Sequence, residues 1–144
     1  MATVTAINIS EKRGTFKHSV DQAEFRMNHG IVGDAHAGDW HRQISLLGQE
    51  SIDKMTALGV NGLDPGKFAE NLTTEGICLH MLPVGTKLEI GPCLVEVTQI
   101  GKQCHQHCEI YKKVGMCIMP KEGIFVKVLR EGVVHPGDTI TVLS

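Results

Sequence analysis

One tryptophan, one tyrosine and five prolines occur in 144 residues, and several larger features are missing altogether. Net charge is nearly absent: 14 Lys and Arg stand against 16 Asp and Glu, a formal charge of -2. A strongly basic chain would advertise nucleic acid as a partner, and this one does not. No apolar run approaches the roughly 18 residues that a membrane-spanning helix needs. Met1 to Ala6 has neither the basic start nor the apolar stretch of a secretory signal, so the chain is expected in the cytoplasm. There is no internal repeat, low-complexity tract or linker. One domain over residues 1–144 is therefore expected, and 42% hydrophobic residues suffice for a real core.

Motifs that would name a reaction outright are missing too. The chain has no Gly-x-Ser-x-Gly elbow. It has no His-Glu-x-x-His helix, Walker loop or dinucleotide fingerprint either. A Cys–His hydrolase would need partners that meet only in space, and no local signal supports one. What the chain does have is 16 glycines, five cysteines and eight histidines. The glycines are scattered without period, which indicates frequent turns between short elements. An odd cysteine count in a cytosolic chain argues against a disulfide framework. Buried thiols, a metal site or a reactive thiol come first.

Period-two alternation marks strands at Val4–Ile9, Thr86–Ile90, Leu94–Ile100, Ile124–Arg130 and Thr139–Leu143, with a short strand at Ile44–Leu47. Ser10–Gly14 reads as a polar turn and the glycine-rich Gly30–Arg42 as an extended loop. Gln49–Leu58 places Ile52, Met55 and Leu58 on one helical face, closed by Gly59. One further helical turn is expected within Pro65–Leu72. Alternating strands argue for an antiparallel sheet with one wet face. Many short strands with glycine-rich turns favour a sandwich or a small closed barrel. The fold class is mainly β, with short accessory helices.

The densest chemistry is Cys104-His105-Gln106-His107-Cys108, with Cys117 nine residues further on. It follows the Leu94–Ile100 strand through Gly101-Lys102-Gln103. Two readings stand. Zinc takes Cys and His in a tetrahedron, and Cys104, His107, Cys108 and Cys117 form a candidate set, although no clean second cysteine pair appears. In the other reading Cys104 is a single reactive thiol, with Lys102 and His105 beside it to favour the thiolate. A thiolate can attack, carry a persulfide or ligate a soft metal. Cys78, between Ile77 and Leu79, and Cys93, beside Leu94, read as small buried hydrophobes.

The second dense spot is Gly33-Asp34-Ala35-His36-Ala37-Gly38 followed by His41-Arg42. Arginine holds phosphate or carboxylate bidentately, and a glycine-rich backbone can cradle an anion with its amides. With Arg26 and His29 ahead and Lys67 and Asn71 behind, these groups are candidates to line a pocket for a phosphorylated or otherwise anionic ligand. Equally, Asp34 and His36 can fix the turn through backbone hydrogen bonds. His18, His80 and His135 carry no local argument and read as surface or structural histidines.

Both spots, in this order, resemble the MOSC domain, named for the C-terminal domain of molybdenum cofactor sulfurase. The likeness runs over nearly the whole chain. It is carried by Gly30–Gly38 with His41–Leu47, by Phe68–Ile77, Leu82–Thr86, Ile100–Cys104 and Gly123–Phe125, and by the closing Gly132–Val134 and Pro136–Asp138. It looks like the small stand-alone bacterial form. The resemblance implies a barrel-like, mostly β domain and a role around the molybdenum cofactor or sulfur transfer.

On that resemblance Cys104 carries sulfur or acts in the pocket. Asp34, His36, His41, Arg42, Glu70 and Asn71 become pocket or framework residues, and a molybdopterin-type ligand would place its phosphate near Arg42 and Lys102. Related stand-alone proteins are linked to reduction of N-hydroxylated compounds with the same cofactor, which is the alternative activity. A zinc-stabilised module without chemistry of its own is the third. The domain brings no source of persulfide or electrons, so a cysteine desulfurase or reductase partner is implied. His105, His107 and Cys108 make the cysteine segment richer than the family pattern requires. Whether the chain is a catalyst or a carrier, and its oligomeric state, stay open.

Overall fold

The computed structural model describes residues 2–12, 17–57, 70–101 and 122–143. Its strands are β1 (Ala2–Ile9), β2 (His18–Val20), β3 (Ala23–Arg26), β4 (Gly30–Ile31), β5 (Ile44–Gly48), β6 (Leu72–Glu75), β7 (Lys87–Ile90), β8 (Cys93–Ile100), β9 (Ile124–Arg130), β10 (Gly132–Val134) and β11 (Thr139–Leu143). One helix, α1 (Gln49–Ala57), and a 3-10 turn at Leu79–Met81 complete the described elements. Alternation builds the outer strands as expected. Cys93, Val95 and Val97 of β8 point inward and are buried, while Leu94, Glu96 and Thr98 between them are only half-buried. Strands β9 and β11 fall on the bounds that alternation gives.

Seven strands close into a barrel in the order β1-β11-β7-β8-β9-β5-β6 and back to β1. Closure depends on how β1 divides one edge. Its first residues, Ala2 and Thr3, pair with Ile140 and Thr139 of β11. Its last, Ile7 to Ile9, pair with Val20 to His18 of β2, which hangs outside the ring. The other edge pairs with β6 and carries a register shift between Val4 and Ala6, a bulge of the kind that bends a strand around a barrel. A separate three-stranded sheet, β10-β3-β4, adds Phe25 and Ile31 to the same core as Ile7, Ile44, Leu72 and Val95.

The ring is not purely antiparallel. Strands β5 and β6 run parallel, with Leu46 opposite Leu72, and parallel neighbours need a crossover connection. Helix α1 forms part of that crossover and lies on β5. Every residue of β5 is therefore buried, and the strand reads as a continuous run rather than an alternation. Ile52 and Met55 are the side chains that α1 turns inward, each 1% exposed. Glu50 in the first turn complements the helix dipole. Gln49 bonds Asp53 one turn on, at 3.0 Å.

Four expectations need correction. Leu72 does not end a helical turn but opens β6, while 65–69 lie outside the described residues. The sheet contains a parallel pair because α1 supplies the return path. Ser10, expected in a polar turn, is 1% exposed, because its amide donates to Asp34 Oδ1 at 3.1 Å. Cys78 is exposed rather than packed, because it sits in the turn before Leu79–Met81 and not on a strand face. Cys93 is buried as expected, and that burial pushes its thiol up to about 11.

Candidate functional site

The loop after β4 is set by one close approach. Gly30 has φ +115°, and a Cβ there would lie 2.7 Å from the carbonyl oxygen of Gln43, so only glycine lets the two ends of the loop meet. Between them Asp34 turns inward onto Lys17, Nζ to Oδ1 2.7 Å, with both side chains fully buried. The Lys17 ammonium also meets Ser10 Oγ at 3.3 Å and His36 Nδ1 at 3.1 Å. As an ammonium only donates, His36 Nδ1 is the acceptor and a neutral ring keeps its proton on Nε2. Asp34 further accepts the amides of Ser10 and His36. Burial alone would raise the Asp34 carboxyl. The Lys17 bond and charge, the Ser10 amide and the Asn71 amide group outweigh it and hold the carboxyl below its ordinary value.

Glu70 and Asn71 join this framework from the other side. Asn71 accepts the Ser45 amide on Oδ1 at 2.9 Å and donates from Nδ2 to the Asn8 carbonyl at 3.1 Å. It thereby ties β1 to β5 at the point where the chain enters β6. Glu70 is fully buried and accepts the Thr73 hydroxyl at 2.9 Å, while its carbonyl takes the Asn8 side-chain amide. Asp34, His36, Glu70 and Asn71 are thus brought together, and the bonds they make are internal ones.

His41 and Arg42 behave differently. Trp40 is pinned by its indole N–H to the His36 carbonyl at 2.9 Å. The Arg42 guanidinium then lies over two rings, 5.2 Å from the Trp40 centroid and 5.6 Å from that of Phe125 on β9. Its Nε is buried and has no hydrogen-bond partner among the described residues. His41 is exposed, with Nε2 2.9 Å from Gln99 Oε1 on β8, and its carbonyl accepts the Thr98 hydroxyl. Gln99 in turn donates to the Gly101 carbonyl at 2.8 Å. Gly101 and Gly123, whose backbones pair at 2.6 Å, bracket the stretch that carries Cys104.

Lys102, Cys104, His105, His107, Cys108 and Cys117 lie outside the described residues. Among the described residues no group of three or more His, Cys, Asp or Glu is arranged to hold a metal ion. No described helix is long and apolar enough to cross a membrane. Of the other basic residues considered for a pocket, Arg26 is exposed and paired with Glu24 at 2.7 Å. Sequence reasoning missed Lys17, Gln99 and Phe125. Trp40 was readable, since an aromatic two residues before an arginine can carry its guanidinium.

A seven-stranded barrel, with a glycine-hinged loop and an arginine laid on two aromatic rings, makes this a small mainly β barrel domain. The model of the MOSC domain matches residues 33–141, from the Asp34 loop to β11, and the chain belongs to the MOSC domain family. The chain is similar in fold to the YuaD protein from Bacillus subtilis, with TM-score 0.81 and 21% identity over 98% of this chain and 94% of that one. YiiM from Geobacillus stearothermophilus gives TM-score 0.75 and 18% identity, covering 100% of this chain and 76% of that one. YiiM from Escherichia coli gives 0.72 and 17%, covering 100% and 70%. At such identities the likeness establishes the fold. No functionally curated protein matches the chain.

Proposed function

We propose that this MOSC-domain protein binds a molybdopterin-type ligand at Arg42 and carries sulfur on Cys104. The observation that carries the reading is the state of Arg42. It is an arginine held over Trp40 and Phe125, with a buried Nε that no group among the described residues satisfies. Leaving such a donor unpaired is unfavourable, and an oxyanion from outside would satisfy it. The donor set therefore suits the phosphate of the molybdenum cofactor, with His41 and Gln99 at the rim. When bound, that cofactor supplies a metal centre that accepts or uses sulfur. The framework of Asp34, Lys17, Glu70 and Asn71 keeps the loop in place and makes no direct contribution to the chemistry.

The sulfur half rests on the family resemblance at Cys104. Its thiolate, favoured by Lys102, attacks the outer sulfur of a persulfide on a desulfurase partner. A new S–S bond forms on Cys104, the donor's S–S bond breaks, and the donor leaves as a thiol once it takes up a proton. Free thiols of this kind persist in the reducing cytoplasm. Protein isolated from its native host is expected to contain molybdenum and pterin. It should also show an adduct one sulfur atom heavier that disappears in Cys104→Ser. Zinc alone, with no adduct after incubation with a persulfide donor, overturns both halves.

A further inference from the structure

A second place in the molecule has the ingredients of thiol chemistry. An open cleft of about 390 Å³ lies between the first turns of α1, the end of β5 at Gly48, and the turn that carries Gly76 to His80, with Glu122 closing one side. That volume suits a small molecule. Cys78 lines it and is exposed. It occupies the position before the 3-10 turn yet makes no capping bond, so its sulfur is not committed to holding the backbone. The sulfur lies 3.8 Å from Nδ1 and 3.9 Å from Nε2 of His80, so a small rotation of the ring aims either nitrogen at the thiol.

Glu122 stands close enough to His80 for the two charges to interact. Burial alone would raise this carboxyl, but the Ser51 hydroxyl at 2.6 Å, the Lys54 ammonium and His80 outweigh it and keep the group ionised. The imidazole is the proton acceptor within reach of the Cys78 sulfur. The cleft also has a sign. Lys54 is neutralised by Glu122 at 2.9 Å. Glu50 Oε2 accepts only the Gly76 amide, at 2.7 Å, and faces no cation among the described residues. The described lining therefore carries net negative charge.

We propose that Cys78 and His80 form a thiol–disulfide exchange site for small, positively charged disulfides, separate from the Arg42 site and independent of the function proposed for it. His80 takes the Cys78 proton, and the thiolate attacks one sulfur of the small disulfide. The disulfide's S–S bond breaks, a mixed disulfide forms on Cys78, and the leaving thiolate collects the proton from His80. Cys78 is oxidised and the departing half is reduced. A second small thiol reverses the step.

The test follows the peptide that contains Cys78 by mass spectrometry, after timed exposure of the full chain to cystamine or to oxidised glutathione, with the urea-unfolded chain as reference. Native Cys78 should react with cystamine about tenfold faster than the reference at neutral pH. His80→Gln should return the rate to the reference and remove its dependence on pH near the imidazole range. Relative to the reference, cystamine should outpace oxidised glutathione, and that preference should shrink in Glu50→Gln and at high salt. A native rate no faster than the reference and unchanged by His80→Gln overturns the exchange site. Equal relative rates for the two disulfides overturn its preference for cations.

Discussion

Two cations in this barrel, the buried Lys17 and the half-buried Arg42, are treated in opposite ways. Lys17 has three protein acceptors around its ammonium, led by a carboxylate at 2.7 Å, and both partners are fully enclosed. Arg42 is laid on aromatic faces and keeps a buried donor with nothing to bond among the described residues. The first arrangement is complete, so adding a ligand there would mean breaking it. The second leaves a donor open among the described residues, and the function proposed above assigns that donor to a ligand. The difference separates residues that hold the loop from the residue the loop presents, although both lie within the same sequence signature.

Breaking the complete side should have the largest effect. Lys17→Met leaves the Asp34 carboxylate buried without its cation, and should lower unfolding stability by about 3–5 kcal/mol, measured by urea titration. Gly30→Ala comes next. It forces a positive φ on a side chain and drives a Cβ onto the Gln43 carbonyl, for a loss of about 2–3 kcal/mol.

Acid should find the same weak point. The Asp34 carboxyl is held below its ordinary value of 3.8 in the folded protein. Its contribution is therefore complete above that value and is lost as pH falls through the lower, folded one. The acid limb of a stability–pH profile should be shallower in Asp34→Asn than in the parent. Arg42→Ala should do least to the fold. It removes no described hydrogen bond at Nε and the contacts with the Trp40 and Phe125 rings, so the change should stay within about 1 kcal/mol. Ligand binding, by contrast, should be lost.

The parts of this fold legible in the sequence are those where one face is wet. Strand β9, Ile124–Arg130, is legible where buried Val126 and Val128 flank half-buried Lys127, and strand β11, Thr139–Leu143, where buried Ile140 lies between exposed Thr139 and Thr141. Strand β6 was hidden because its inward and outward positions are both buried, with Thr73 and Thr74 fully enclosed and no apolar period to read. Strands β2 to β4 run two to four residues, too short for a pattern, and exist through pairing: β2 with β1, β4 with β3, and β3 also with the distant β10. The site divides the same way. Arg42 stands out beside a glycine-rich loop, whereas Lys17 finds Asp34 across 17 residues with no local mark. Cys78 was misread because Ile77 and Leu79 suggested a strand face where the chain makes a turn.

In the function proposed above, the buried Nε of Arg42 is reserved for an anionic cofactor. Molybdenum and pterin content per chain, compared between the parent, Arg42→Lys and Arg42→Ala purified side by side from the native host, tests it most directly. The account predicts near-complete loss of both in Arg42→Ala with an unchanged unfolding midpoint, and partial retention in Arg42→Lys, which keeps the charge but not the paired donors. Equal content in all three, or absence from the parent itself, would contradict it.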